Sequence, residues 1–303
     1  MRKKKVLIIG LGSIGLRHAK ILSKFENVKK IAVISKRKNI RLKKVIFINH
    51  PNQFDPDYII LSSITARHIT DLKIIEKSYK NKIVLVEKPL FDKNKNLTIK
   101  NNKVLVGYNL RYHPIIRFLK NKIKKKKIFS VYIFCGSYLP NWRKNQNYQF
   151  CYSSKKKMGG GVLLDLSHEI DYLQWIFGKI KKIDYAKIKK ISNLKIDSDD
   201  YVNLIGKIKN INFSINLNYF TMKTIRNIIV DGKNFSLQAD LIKNEIYLHE
   251  NGKKKNIKFN TYRNFTYELQ HSYLLNKNYK ISSSFKNGKN ILSLIDKMRN
   301  LNN

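Results

Sequence analysis

The sequence predicts an α/β protein of two domains, a doubly wound parallel sheet followed by an α+β domain whose sheet is mostly antiparallel. Apolar runs in the first hundred residues alternate with polar or glycine-containing turns, as parallel strands and their crossover connections do. The second half contains consecutive strand-like runs separated by short turns, as antiparallel strands are. The 303 residues suffice for two domains of ordinary size, which we place at residues 1–110 and 111–303.

Short apolar runs predict the strands of the first domain. Each is bounded by turn signals, as buried parallel strands are. The runs are Val6–Ile9, Ile31–Ile34, Val45–Ile48, Tyr58–Leu61, Ile83–Val86 and Lys103–Val106. The connections over residues 35–45 and 91–103 are short, so we expect the usual crossover helices to be missing there.

A glycine-rich turn directly follows the first predicted strand. It reads GLGSIG, Gly10 to Gly15, and the residues after it can continue as a helix. In this context Gly10 permits the tight turn, Gly12 lets the backbone approach a pyrophosphate, and Gly15 allows close packing of helix on strand. The phosphates would lie beside Ser13 and Ile14, where free N–H groups and the helix dipole favour negative charge. The sequence therefore predicts a dinucleotide-binding site.

The end of the second predicted strand indicates which dinucleotide is bound. A site specific for NAD has Asp or Glu at this point to hold the ribose 2′-hydroxyl, whereas this chain has Ser35, Lys36 and Arg37. A hydroxyl followed by two cations suits a 2′-phosphate. Because lysine is abundant throughout the chain, Ser35 and the missing acid carry more weight than Lys36. We therefore favour NADP(H) as cofactor, with NAD(H) possible.

Polar residues also stand where later strands of the first domain end. In doubly wound sheets, ligands bind beyond the carboxyl ends of the strands. The further predicted cofactor contacts are Ser62, Thr65, His68, Glu87, Lys88 and Asn109. His68 taken alone is more typical of a helix start or a packing residue than of a catalyst.

The middle of the chain contains a segment with two distinct faces. Read as a helix from residue 159 to 178, it has leucine and isoleucine side chains at three- and four-residue steps, which would face a core. Asp165, His168, Glu169 and Tyr172 share another side. Two interpretations stay open from this segment alone: a solvated polar face, or the floor of a functional site.

Strand-like runs follow this segment and also precede it. They cover residues 129–137, 201–206, 211–220, 224–230, 235–239 and 245–249. Asp231-Gly232 and Asn251-Gly252 have the composition of hairpin turns. These runs predict the antiparallel sheet of the second domain.

In combination, the motifs resemble the Gfo/Idh/MocA family, the group of glucose–fructose oxidoreductase and inositol dehydrogenase. The segments that carry the resemblance are GLGSIGLRHAK (10–20), VLVEKPL (84–90), VGYNLRYHP (106–114) and GGGVLLDLSHEIDYLQWIFG (159–178). The resemblance extends over nearly the whole chain. It implies an N-terminal Rossmann domain, a C-terminal domain built on a large open, mostly antiparallel sheet, and nicotinamide-dependent hydride transfer on sugars, polyols and related compounds.

The resemblance also implies catalytic roles. Lys88 and His168 would be the catalytic pair, and Asp165 would orient or tune His168. The family's acid usually stands four residues before the histidine, whereas Asp165 stands three before it. Both spacings project to the same side of a helix.

The substrate implied is a sugar or a nucleotide sugar. GSYLPNWR, residues 136–143, resembles a segment of family members associated with surface-glycan sugar metabolism. Its aromatic rings would stack on sugar faces and its arginine would hold a carboxylate or phosphate, although core aromatics beside a surface arginine are the alternative. The candidate substrate contacts are Lys88, Arg111, Tyr138, Trp142, Arg143, Asp165, His168 and Asp171.

Composition limits the remaining classes. The formal net charge of +42 suggests nucleic acid, but the lysines are scattered in runs such as 2–5, 122–127 and 252–255, which we interpret as solvated turns. We therefore expect no specific nucleic-acid partner. Cys135 and Cys151 are far apart and form no metal-binding pattern, and no apolar run approaches the length of a membrane span. We expect a cytoplasmic protein without metal or membrane contact, and the family implies a homo-oligomer.

Two other functions remain compatible with the motifs. One is a non-catalytic sensor that keeps the dinucleotide fold to read redox state. The other is redox-assisted sugar lyase or glycosidase chemistry, in which the nicotinamide is recycled in place. Intact Lys88 and His168 count against the sensor.

Overall fold

The structure, a computed structural model, describes residues 2–38, 40–143 and 146–301. The chain divides into two compact units, of which the first comprises Met1–Tyr112 and Arg263–Leu292 and the second His113–Tyr262 and Ser293–Asn303. The predicted boundary falls close to Tyr112, but the prediction assigned all of 111–303 to the second domain. Residues 263–292 return to the first unit because they carry Leu274 and Leu275, which are buried in its hydrophobic core.

The first unit is built on a parallel sheet, which confirms the predicted doubly wound fold. Its parallel strands are β1 (Lys4–Ile9), β2 (Val28–Ile34), β3 (Val45–Phe47), β4 (Tyr58–Leu61), β5 (Ile83–Val86) and β6 (Lys103–Val106). They are ordered β6-β5-β4-β1-β2-β3, so the winding direction reverses between β1 and β4. Ligands bind at such a switch point in doubly wound sheets.

The helices of this part of the chain follow the two central strands. Helix α1 (Ser13–Ser23) comes after β1, and α2 (His68–Ser78) comes after β4. Gly15, His18, Ala19 and Leu22 are buried, at the spacing of one helix face. The described residues between β2 and β3, and those between β5 and β6, form no helix, as their short length predicts.

The second unit contains the expected mostly antiparallel sheet. Its strands are β7 (Ile128–Gly136), β8 (Lys182–Lys189), β9 (Tyr201–Ile208), β10 (Ile211–Asn218), β11 (Ile225–Gly232), β12 (Phe235–Asp240), β13 (Glu245–Glu250) and β14 (Lys253–Lys258). The order is β14-β13-β12-β11-β7-β10-β9-β8, and the β7–β10 pair is parallel.

One face of this sheet is covered and the other is exposed. Val131, Ile133 and Ile215 are buried on the first face. Tyr132 and Tyr247, each about half exposed, belong to the opposite face. Helices α3 (Pro114–Lys122), α4 (Val162–Asp165) and α5 (His168–Phe177) also belong to this unit.

The end of the chain is α6 (Phe265–Leu275), β15 (Ser283–Ser284) and α7 (Phe285–Leu301). Strand β15 pairs antiparallel with β6, which extends the first sheet by one edge strand. The division between the units falls within α7, after Leu292. None of the helices in the described ranges is long and apolar enough to cross a membrane.

Candidate active site

The glycine turn between β1 and α1 is shaped by close backbone contacts. Gly10 has φ +93°, which side-chain-bearing residues rarely adopt, and a Cβ there would lie 2.5 Å from the Ser63 nitrogen. A Cβ at Gly15 would lie 2.0 Å from the Gly10 carbonyl oxygen. Gly12 differs, because apart from its own and adjacent residues no atom of the described residues lies within 4 Å of the place its Cβ would take.

The turn fits the pyrophosphate of a dinucleotide. Gly12 is the N-cap of α1 and makes no side-chain capping hydrogen bond. The first amides of α1, at Ser13 and Ile14, have no acceptor within the helix, and with the helix dipole they favour an anion. The Ser62 hydroxyl, directly after β4, donates to the Gly10 carbonyl at 2.8 Å and so holds the turn. These residues would hold the phosphates, and Gly12 is where they would approach the backbone.

The Gly12→Ala variant should lose cofactor affinity while keeping its stability. Its backbone angles, φ −70° and ψ −167°, suit alanine, and the new methyl group enters space that the pyrophosphate would need. We expect the Kd of NADPH to rise on the order of tenfold in fluorescence titration, with Tm changed by no more than about 2 °C.

Gly15→Ala is the matched contrast, because its Cβ meets backbone. It should lower the free energy of unfolding by about 2 kcal/mol or more. Wild-type NADPH affinity in a folded Gly12→Ala protein would contradict the assignment of the turn.

The end of β2 offers a hydroxyl and two cations. The backbone N–H of Arg37 donates to the Ser35 hydroxyl at 3.1 Å, which closes a small turn. Ser35 is half-buried, whereas Lys36 and Arg37 are exposed. A phosphate group would therefore meet cations here and no carboxylate from these three residues.

The loop after β5 carries half-buried Lys88. Its backbone N–H donates to Glu87 Oε2 at 3.3 Å, and Glu87 is itself buried. On the other side, His68 Nδ1 lies 3.1 Å from the Pro89 carbonyl oxygen, and its Nε2 lies 3.0 Å from the Ser63 carbonyl oxygen. Burial lowers the pKa of His68 despite these carbonyl contacts. The His68 ring thus packs between two loops that follow neighbouring strands, beside Lys88, and as a neutral ring it donates to a carbonyl of one of them.

His68 and Thr65, which we predict to contact the cofactor, are both buried in the first unit. His68 begins α2, as its sequence context predicts, and is 1% exposed. Thr65 is also buried, in a single 3₁₀ turn that precedes α2. The structure gives His68 a bracing function between loops, and its predicted contact with the cofactor stays a prediction.

Asn109 and Arg111 are held by the returning end of the chain. Asn109 Nδ2 donates to the Thr266 hydroxyl at 2.8 Å, and Arg111 Nη1 donates to the Ser282 carbonyl at 3.3 Å. Both side chains are about 4% exposed. Each thus has a structural partner that the sequence did not indicate, and their ligand contacts stay predictions.

In the second unit, Asp165 accepts hydrogen bonds from two tyrosines. The Tyr152 hydroxyl donates to Oδ1 at 2.8 Å, and the Tyr219 hydroxyl donates to Oδ2 at 2.6 Å. Burial first, and the charge of Asp165 second, raise the pKa of both tyrosines well above the ordinary value. Both therefore stay protonated and hold the carboxylate in place. Sequence reasoning named neither tyrosine, because no motif connects them to Asp165.

The segment around His168 differs from the single helix that was predicted. Helix α4 ends at Asp165, and α5 begins at His168 after a turn. The interpretation as a solvated polar face is wrong, since Asp165, His168, Glu169 and Asp171 are all buried.

Glu169 shows why that polar side is buried. Its Oε1 receives the Arg226 Nε–H at 2.7 Å. Burial alone would lower the pKa of Arg226, but the carboxylate of Glu169 raises it above the ordinary value. Arg226 therefore stays charged within the second unit, where α5 meets β11.

The GSYLPNWR segment reaches the same tyrosines. Trp142 packs edge-on against Tyr219, with ring centroids 5.2 Å apart, and donates from Nε1 to the Ser137 hydroxyl at 3.0 Å. The Arg143 guanidinium lies over the Tyr152 ring, 5.3 Å from its centroid. Two of the predicted substrate residues therefore adjoin the cluster around Asp165. Tyr138 is half-buried and directly precedes the 3₁₀ turn Leu139–Trp142.

The described residues contain no group of histidine, cysteine and acidic side chains that would hold a metal ion. A parallel sheet with a glycine cradle and an antiparallel sheet that buries an Asp–His segment together define a two-domain dinucleotide-binding protein. The family model described as "Oxidoreductase family, C-terminal alpha/beta domain" matches residues 120–301. The chain belongs to the Gfo/Idh/MocA oxidoreductase family.

Solved structures share the fold at low sequence identity. The WlbA dehydrogenase from Bordetella pertussis, in complex with NADH and UDP-GlcNAcA, has a TM-score of 0.76 at 14% identity, over 99% of this chain and 97% of that one. Levoglucosan dehydrogenase, in complex with NADH, has a TM-score of 0.81 at 14% identity, over 98% and 96%. The UDP-N-acetylglucosamine 3-dehydrogenase GnnA from Acidithiobacillus ferrooxidans has a TM-score of 0.75 at 12% identity, over 99% and 98%. Comparison with curated protein sequences finds no match.

Proposed function

We propose that the protein is an enzyme that transfers a hydride between a nicotinamide dinucleotide and a carbinol carbon of a sugar or nucleotide sugar. The observation that carries the proposal is the open cradle at Gly12 in a chain of this oxidoreductase family. The sugar class is supported by the structural relatives, which are named as dehydrogenases of levoglucosan and of a nucleotide sugar.

Side chains of the protein must accept or donate the proton of the substrate hydroxyl. When bound, the nicotinamide accepts or supplies the hydride. While the hydride leaves the carbinol carbon, the substrate hydroxyl must lose its proton to a nearby group. We assign this step to His168, whose side-chain type titrates near neutrality, together with Lys88. Lys88 either transfers the proton or stays charged and polarises the reacting oxygen.

Asp165 and Asp171 have supporting roles in this proposal. Asp165, fixed by Tyr152 and Tyr219, provides a negative charge of set position that orients or tunes His168. Asp171 binds substrate hydroxyls or supports α5. Glu87 acts through the backbone of the Lys88 loop.

We further propose that the enzyme prefers NADP(H), with NAD(H) as the alternative. The support is the Ser35 hydroxyl, followed by the exposed cations Lys36 and Arg37. Two of the related structures contain NADH, which makes the comparison of the two dinucleotides informative.

An anionic sugar is the substrate that Arg143 favours. Its guanidinium is half-buried and stacks on Tyr152, and a planar fork of this kind binds carboxylates and phosphates. The net charge of +42 would attract such substrates. A preference for anionic sugars would support a role in surface-glycan synthesis.

The test combines a binding screen with a turnover assay. Thermal unfolding with NAD, NADP, neutral sugars, uronic acids and UDP-sugars should show stabilisation by NADP above that by NAD, because ligands of the native state raise Tm by mass action. Nicotinamide absorbance should then change in the presence of one sugar class. Failure of both dinucleotides to bind overturns the proposal.

Other outcomes identify other functions. Cofactor binding without turnover of any sugar indicates a sensor. Sugar conversion without net cofactor reduction indicates lyase or glycosidase chemistry. DNA binding that weakens steeply with salt and shows no sequence preference would report the charge alone.

We also propose that the protein is a cytoplasmic homo-oligomer. Self-association is supported by the open sheet face, where Tyr132 pairs in register with Ile229 of β11 and both side chains face away from the covered side. Sedimentation at several concentrations tests it, with a purely monomeric protein as the contrary result. The reducing compartment is supported by Cys135 and Cys151, which are both free.

A further inference from the structure

A chain of buried polar side chains runs through the first unit and ends at the Lys88 loop. Glu87 Oε1 lies 3.0 Å from His18 Nε2. His18 Nδ1 lies 2.9 Å from His271 Nε2, and His271 Nδ1 lies 3.0 Å from the Tyr58 hydroxyl. His18, His271 and Tyr58 are fully buried, and Glu87 is 5% exposed. The chain connects α1, α6 and β4 to the residue before Lys88.

Counting protons gives this chain one direction when Glu87 is ionised. A carboxylate only accepts, so His18 Nε2 must carry a hydrogen. With one proton on each imidazole, His18 Nδ1 then accepts from His271 Nε2–H, and His271 Nδ1 accepts from the Tyr58 hydroxyl. Each of the three contacts then has one donor and one acceptor. With one proton on each ring, reversing the direction would require a protonated Glu87.

The ionisation of Tyr58 and His271 agrees with this direction. Burial, then the influence of Tyr112 and Glu87, raises the pKa of Tyr58 well above the ordinary value, so it stays a donor. Burial and the neighbouring His18 lower the pKa of His271, so this ring stays neutral. Interior groups of this kind are costly to leave unpaired, which favours a fully satisfied chain.

At one end of this chain of polar side chains, Glu87 fixes the backbone at Lys88. Glu87 uses Oε1 for His18, while its Oε2 accepts from the Lys88 N–H at 3.3 Å. Gly107 packs closely against the carboxylate on another side, because a Cβ at that position would lie 2.7 Å from Glu87 Oε1. The orientation of the carboxylate, and with it the start of the Lys88 loop, therefore depends on His18.

We propose that His18 and His271 are positioning residues, which hold the Glu87 carboxylate so that it anchors the backbone of Lys88. His18 stands on α1, the helix whose first turn forms the glycine cradle, so one buried chain links that helix to the lysine loop. The catalytic consequence rests on the proposed function, whereas the anchoring of Lys88 does not.

Amide hydrogen exchange tests the anchoring without any substrate. In His18→Leu, the Lys88 amide should exchange on the order of tenfold faster, while the amide of Val86 within β5 keeps its rate. His18→Gln is the matched control, since its side-chain amide can still donate to Glu87, and it should recover most of the protection. A folded His18→Leu protein with wild-type exchange at Lys88 overturns the proposal.

Kinetics then separate positioning from general destabilisation. His18→Leu should lower kcat about tenfold and leave the Kd of NADPH within about twofold, and His18→Gln should restore kcat. A proportional loss of kcat and cofactor affinity overturns a positioning role. If His18→Leu does not fold, Tyr58→Phe replaces it, removing only the last donor, and should speed exchange at Lys88 about threefold. If wild-type protein turns over no sugar, the proposed function fails, while the exchange result still decides the anchoring.

Discussion

The His168→Ala variant should bind the cofactor normally and lose most of its turnover. Removing a general acid or base from a site of this kind lowers kcat by about 10²–10⁴-fold. The glycine cradle belongs to the first unit, whereas His168 belongs to the second, so we expect the Kd of NADPH to stay within about twofold of wild type. Steady-state kinetics and fluorescence titration on the same preparation measure both quantities.

Variants of Lys88 should also lose turnover while keeping cofactor affinity, and they distinguish the two possible roles of this lysine. Lys88→Met should lower kcat by about 10²-fold or more, because it removes both the charge and the transferable proton. Lys88→Arg keeps the charge but cannot readily lose a proton. Partial activity in Lys88→Arg would indicate that the charge polarises the substrate, and activity as low as that of Lys88→Met would indicate proton transfer.

Exposed residues of the same type provide the controls. Lys93→Met and His249→Ala alter exposed side chains and should leave kcat within about twofold of wild type. In Lys88→Met/His168→Ala, the loss should be smaller than the product of the two single losses, because residues that act as a unit are not additive. Near-normal turnover in both single variants contradicts the assignment.

Local sequence patterns predict much of the parallel sheet and less of the antiparallel one. The buried runs of the first unit identify its parallel strands because apolar continuity is a local signal. Strand β14, Lys253–Lys258, overlaps the lysine run at 252–255, which we interpret from the sequence as a solvated turn. The lysines are solvated and Gly252 lies in a turn, but residues 253–255 belong to the strand. Among the described strands it pairs only with β13, as an edge strand does, and its exposed lysines protect the edge from further pairing.

Hairpin turns show the same limit. Asn251 and Gly252 both have positive φ and form the turn between β13 and β14, which confirms that prediction. The turn predicted at Asp231-Gly232 falls instead at Lys233 and Asn234, where Asn234 has φ 51°. Gly232 remains in β11, at a register shift where a Cβ would lie 2.4 Å from the Lys127 carbonyl oxygen. This contact is with a residue distant in sequence, so dipeptide composition does not reveal it.

The site residues were found where a motif is continuous and missed where the fold brings distant segments together. The helix pattern grouped Asp165 with His168, but it did not distinguish a buried polar side from a solvated one. That distinction depends on Tyr152, Tyr219 and Arg226, which come from other elements. The return of residues 263–292 to the first unit is likewise a long-range result, because it depends on where Leu274 and Leu275 find apolar partners.

Buried histidines should make the protein lose stability steeply as pH falls below about 6.5. Burial lowers the pKa of His68 and His271 below the ordinary value of 6.5. Burial first, then the charge of Arg226, lowers that of His113 to about 4. Below pH 6.5 the unfolded chain therefore takes up protons that the folded chain does not, so folded-state stability is present above that pH and is lost on acidification. For His113 the loss continues down to about pH 4 and amounts to about 3 kcal/mol.

Urea unfolding at several pH values, followed by tryptophan fluorescence, measures the contribution of His113. Trp142 and Trp175 are the chain's two tryptophans, and both belong to the second unit with His113. The His113 Nδ1 caps α3 by accepting from the Ile115 N–H, and asparagine can cap in the same way without titrating. His113→Asn should therefore reduce the stability loss between pH 6.5 and 4 by about 3 kcal/mol. His249→Gln, at an exposed position of β13, should leave the pH profile unchanged, and an unaltered profile in His113→Asn would show that this histidine does not stay neutral in the folded protein.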